Sequence, residues 1–113
     1  MDEVINNDNG LVHVALQIIL HAGDARNKIT EALSYAKKWD FENASKNINI
    51  AEEAIILAHK AQTDIIQGEA SGHKYEFSLL FAHAQDTLMT INSEFRMAKE
   101  MIEILKLISE TIK

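Results

Sequence analysis

The chain predicts an all-α fold, an antiparallel three-helix bundle. Three observations carry this. There is no proline, and glycine occurs only at positions 10, 23, 68 and 72, so little else interrupts the long periodic segments. Apolar residues recur at helical spacing along three successive stretches, with no alternating strand pattern. Apolar residues also make up 47% of the sequence, too many for a disordered chain. At 113 residues the whole of 1–113 reads as a single helical domain.

Met1 to about Asn9 is polar and is expected to fray. The first helix is expected from Gly10 to Lys38. Its first half, with Leu11, Val12, Val14, Ala15, Leu16, Ile18, Ile19 and Leu20, is apolar nearly all round, which requires burial on more than one side. Trp39, Asp40 and Phe41 make a tight connection with Asp40 as N-cap. A second helix follows from about Phe41 to Gln67, with a seam of Phe41, Ala44, Ile48, Ala51, Ile55, Ala58, Gln62 and Ile65. Gly68 to Gly72 closes it and forms the longer loop. The third helix is expected from about Lys74 to Ile112, close to 60 Å at about 1.5 Å per residue.

The third helix carries two stripes. Phe77, Phe81, Ala84, Leu88, Ile91, Phe95, Ala98, Ile102 and Leu105 form a coiled-coil-like seam. Rotated from it by roughly 100° to 160° runs a second line: Leu79, His83, Asp86, Thr90, Met97, Met101 and Ile108. This line is apolar at both ends and polar in the middle. A helix with two such faces is covered twice, once by its own chain and once by something else. Together with the all-round apolar start of the first helix, this predicts an oligomer.

Charge and composition exclude several classes. The net charge of −6 argues against a nucleic-acid partner, which needs a basic footprint. Arg26, Lys28, Lys37 and Lys38 fall close together but among acids and apolar residues, as on a solvated helix face. Leu11 to Ala22, interrupted by His13, Gln17 and His21, is too short and too polar to span a membrane. It has no basic leader or cleavage site either. The absence of cysteine removes disulfides and thiolate chemistry and fits a reducing cytoplasm. The expectation is a cytoplasmic protein without direct membrane insertion.

His83 and Asp86, three residues apart on the second stripe, are the residues that suggest chemistry at a subunit junction. Neutral imidazole is a nucleophile near neutral pH and also a good leaving group. From spacing alone the commoner reading of His83 is a hydrogen-bonded interface residue. Asp86 on an apolar face needs a partner, a proton or a cation. Spacing alone also accommodates Asp86 as a solvated carboxylate.

The motif Ser78-Leu79-Leu80-Phe81-Ala82-His83-Ala84-Gln85-Asp86-Thr87-Leu88-Met89-Thr90 resembles the lactose/cellobiose-type enzyme IIA of the bacterial phosphoenolpyruvate-dependent sugar phosphotransferase system. The family pattern there runs close to S-L-hydrophobic-hydrophobic-V-H-A-Q-D-H-L-M-T. Ile19-Leu20-His21-Ala22-Gly23-Asp24-Ala25-Arg26 is similar to the family's I-x-N-[SA]-G-x-A-R. Asp40 to Ala44 is similar to its G-D-F-x-x-A, and Ala58 to Asp64 to its A-H-x-x-Q-T. The resemblance covers residues 10 to 110 in order and spacing. Two departures stand out: Thr87 where the pattern has a second histidine, and His21 where it has asparagine.

The resemblance implies a phosphocarrier. His83 would accept a phosphoryl group from the phosphohistidine of HPr and pass it to a cysteine of a sugar-specific enzyme IIB. It implies a homotrimer, a nine-helix bundle, with Asp86 from each chain holding one Mg2+ per trimer on the three-fold axis. Gln85 is a candidate phosphoryl contact, and His21 and Arg26 are candidates for lining the site across an interface. His13, His59 and His73 read as surface residues, and Met89, Met97 and Met101 as apolar filler. Thr87 keeps open a diverged regulatory or structural oligomer without phosphotransfer. A buried His83 would favour a plain metal-binding oligomer.

Overall fold

The computed structural model describes residues 2–112, with side chains from residue 10 onward. Its elements are α1 (Asp2–Lys37), α2 (Phe41–Ala70) and α3 (Leu79–Thr111), and among the described residues there is no strand. The three helices form a rod with extents of 67 × 21 × 18 Å. α1 packs on both other helices, whereas α2 and α3 touch each other least.

One continuous core runs down the rod. α1 supplies Leu11, Ala15, Ile18, Ala22, Ala25, Ile29 and Ala32; α2 supplies Ile48, Ala51, Ile55, Ala58 and Ile65; α3 supplies Phe81, Ala84, Leu88, Ile91, Phe95 and Ala98. Much of this list is alanine, so the helices lie close together but each alanine buries little apolar area. The bundle is thin, and large apolar side chains remain outside it. Leu16, Leu20, Leu79, Met97 and Met101 are all exposed. The second apolar face predicted for α1 and α3 is therefore present and uncovered within one chain.

The helix ends are built from local chemistry. α1 closes through a pair of hydrogen bonds, Asp40 N–H to the Tyr35 carbonyl and Trp39 N–H to the Ala36 carbonyl, each 3.0 Å. This closure requires a left-handed residue, and Trp39 occupies it at φ 63°. The similar family pattern has glycine here, which pays no Cβ clash in that conformation. Asp40 then caps α2 as expected, accepting from Asn43 N at 3.2 Å and from Asn43 Nδ2 at 2.7 Å. Those two bonds, the side-chain one foremost, hold the Asp40 carboxyl below its ordinary range.

Three boundaries differ from the sequence expectation. α1 begins at Asp2 and not at Gly10, so the polar stretch expected to fray is helical from Asp2, while Met1 lies outside the described residues. α2 continues through Gly68 to Ala70, and the closing left-handed position is Gly72 at φ 99°. Gly68 serves a different purpose: a Cβ there would stand 2.8 Å from the Tyr75 hydroxyl, so its hydrogen lets the loop fold back on the helix. α3 starts at Leu79 and not at Lys74, because the Ser78 hydroxyl caps it by accepting from Phe81 N at 3.1 Å. Phe77, placed at the head of the core seam by periodicity, consequently lies outside the helix and is 86% exposed.

Candidate functional site

The site is built on the first turns of α3. Phe81, Ala84 and Leu88 are buried and fix the rotation of the helix against α1 and α2. That rotation leaves His83 and Asp86 exposed, about 60° apart around the axis at roughly 100° per residue. Leu79 and Met97 flank them on the same line and are also exposed. His83 is thus open to solvent within a single chain.

Thr87, one turn beyond His83, donates its hydroxyl to the His83 carbonyl oxygen at 2.8 Å. The residue standing in place of the pattern's second histidine therefore bonds its own helix, and its side chain is directed at backbone. Among the described residues neither His83 nor Asp86 makes a side-chain hydrogen bond or ion pair.

Gln85 does not join them. Two residues along a helix is a rotation of about 200°, so Gln85 points away from His83. It is half-buried and lines a cleft of about 170 Å³ with Leu11, Glu69, Tyr75 and Phe77. Within one chain the Gln85 side chain and the His83 ring therefore face different sides of α3.

Arg26 is also engaged elsewhere. Its Nε and Nη2 donate to the two carboxylate oxygens of Glu94 at 3.0 and 2.8 Å, bridging α1 and α3. The hydrogen bonding to Glu94, and then its charge, raises the Arg26 guanidinium further above its ordinary value. Glu94 lies eleven residues beyond His83, roughly 16 Å along the axis, so Arg26 does not reach His83 within one chain. Nothing in the sequence paired these two residues, which are 68 positions apart. His21 lies in the groove between α1 and α2, beside Leu57. His13 and His59 are exposed, and His73 packs its ring on Tyr75 at 4.4 Å.

Among the described residues no group of three or more histidine, aspartate or glutamate side chains is placed to hold a metal ion. Asp86 offers a single carboxylate per chain, so any metal centre built on it requires several copies. Among the described residues no helix is long and apolar enough to cross a membrane.

The motif around His83 and its setting on this bundle can be compared with known proteins. The profile of the family described as "PTS system, Lactose/Cellobiose specific IIA subunit" matches residues 13–106. The chain belongs to this family. The lichenan-specific phosphotransferase enzyme IIA component of Bacillus subtilis (strain 168) is 44% identical over 97 residues, covering 86% of this chain and 88% of that protein. The lactose-specific EIIA component of Staphylococcus epidermidis is 40% identical, over 82% and 89% of the two chains. The crystal structure of the cellobiose-specific enzyme IIA from Bacillus anthracis superposes with a TM-score of 0.82 at 40% identity, covering 87% of this chain and 90% of that one. The Escherichia coli IIA(chitobiose), solved in complex with HPr, gives 0.77 at 33% identity, over 88% and 96%. As a IIA component of the phosphotransferase system, the protein is a phosphotransferase of sugar transport. The fold these relatives share is the three-helix bundle predicted from the periodicity.

Proposed function

We propose that this IIA component carries the phosphoryl group on His83, taking it from phospho-HPr and giving it to a cysteine of enzyme IIB in the cytoplasm. The observation that carries the reading is the exposed imidazole of His83, rigidly presented by a helix whose opposite face is locked in the core. A free ring nitrogen attacks the donor's phosphorus. The donor's P–N bond breaks, and the departing imidazole keeps the electron pair and takes a proton. In the second step an acceptor thiolate attacks phosphorus and the P–N bond on His83 breaks in the same way. Catalysis of this kind is mostly in-line positioning and charge neutralisation, so it needs access more than a deep pocket.

The protein acts as a homotrimer in this proposal. The exposed Met97 and Met101 of α3 and Leu16 and Leu20 of α1 support it, because a closed assembly can bury these apolar side chains and still leave the His83 ring accessible. Three copies of Asp86 would then meet on the axis. A carboxylate is a fitting donor for a hard cation such as Mg2+, which would offset two of the three like charges brought together.

The test is transfer itself. Incubation with enzyme I, HPr and labelled phosphoenolpyruvate is expected to label the chain with an acid-labile, base-stable phosphate. His83→Gln is expected to abolish the label while helicity by circular dichroism is kept. Wild-type chain that takes no label would favour the diverged oligomer without phosphotransfer. Label that survives the substitution would move the site elsewhere.

A further inference from the structure

We infer that the groove between α1 and α2, on a different face from His83, docks a basic amphipathic helix of a partner protein. Its α2 wall carries Ile50 and Leu57, 45% and 51% exposed and seven residues apart, hence about 10 Å apart on one line of the helix. Between them Ala54 forms a shallow, half-buried floor, which lets a visiting helix approach closely. This part of the groove encloses about 560 Å³. A second concavity of about 250 Å³ shares His21 and Leu57 with it and reaches Val14. The two together run from Val14 to Glu31 along α1, roughly 25 Å, enough for four to five turns of a guest helix.

Charge selects the guest. Asp24 and Glu53 line the groove and form no ion pair among the described residues. Lys28 is tied to Glu31 at 3.1 Å, and Lys60 and Asp64 in the second concavity carry opposite charges, so these four residues add no net charge. Two apolar anchors at heptad spacing between unpaired carboxylates match a helix with leucine-like residues every seven positions, flanked by Lys or Arg. On α1 the groove residues His21, Asp24 and Lys28 lie about 40° to 100° around the helix from Leu20, and the anchors Ile50 and Leu57 lie on α2, outside the residues assigned to the proposed trimer.

The test uses a labelled 18-residue leucine/lysine helix and a scrambled peptide of the same composition, followed by fluorescence anisotropy on the full chain. The scrambled peptide is expected to bind about 10-fold more weakly. Leu57→Ser, at an exposed position that leaves the core intact, should weaken the helix about 10-fold, and Asp24→Asn with Glu53→Gln about 5-fold. Glu103→Gln with Glu110→Gln removes equal charge from α3 and should change binding less than about twofold. Equal binding of the scrambled peptide would overturn the inference, as would remote charges that matter as much as the groove pair. A change in particle mass caused by Leu57→Ser without peptide would make a second copy the occupant and overturn it too. None of these readouts depends on whether His83 carries phosphate.

Discussion

The Thr87 hydroxyl donates to the carbonyl oxygen of His83 across 2.8 Å, one turn back along α3. A hydroxyl satisfied by its own helix is not available to orient a phosphorylated ring on the same face. The histidine pattern of the family is therefore altered here without placing a new group on the His83 side chain.

Thr87→Val is accordingly expected to keep phosphoryl transfer within about twofold of wild type, since it removes only a backbone-directed bond. Rates of labelling by phospho-HPr measure this. A loss of tenfold or more would assign the hydroxyl a part in transfer.

Asp86→Leu separates attraction from repulsion at the proposed axis. Wild type should scatter light with three times the 12.7 kDa chain mass. If three carboxylates converge, exchanging them for leucine removes repulsion and adds about 1.5 to 3 kcal/mol of apolar burial per chain. The variant is expected to stay trimeric, to lose any sensitivity to chelators, and to be labelled on His83 as before. Dissociation to monomers, with a wild-type trimer that chelators leave unchanged, would show that Asp86 makes a specific attractive contact without metal and remove the axial site.

Trp39 holds a left-handed backbone at φ 63°. Its ring packs on Phe41 with centroids 5.8 Å apart, so simple deletion mixes two effects. Comparing Trp39→Gly with Trp39→Ala cancels the lost ring contact. Glycine should exceed alanine by about 1 kcal/mol in urea unfolding, because only alanine keeps the Cβ clash. Equal stabilities would mean that the turn relaxes at no cost.

Asp40 predicts a pH dependence. Its carboxyl is held below the ordinary range by hydrogen bonds from Asn43, so its folded pKa is lower than its unfolded one. The stabilisation is then present at neutral pH and is lost as pH falls through the folded value. In Asp40→Asn the amide oxygen can still cap but does not titrate there. Thermal melts should show wild type losing ground to Asp40→Asn on acidification below the carboxylate range. A difference that stays constant with pH would place the capping energy outside the charged form.

Much of the architecture was legible because periodicity is a local property. Ala84, Leu88, Ile91 and Phe95 recur at helical spacing, and the same residues are buried. Asp40 declared itself by type and position. Phe77 misled, since it keeps the seam's spacing while the Ser78 hydroxyl starts the helix after it. A cap competes locally with propagation of the helix, and hydrophobic spacing carries no record of that competition. The same limit applied to Gly68, whose role depends on Tyr75 folding back over it.

By itself, then, the sequence determined three long helices, the buried line on α2 and α3, the left-over apolar face and the motif around His83. These follow from which residues share a side of a helix, and that is settled by 100° steps along the chain. Tertiary structure alone decided that Arg26 clasps Glu94, that Gln85 belongs to a cleft with Glu69 and Tyr75, and that α1 and α2 leave an acidic, apolar-walled groove. Those relations join residues far apart in sequence, and they arise only when the rotation and offset of packed helices bring the side chains within reach.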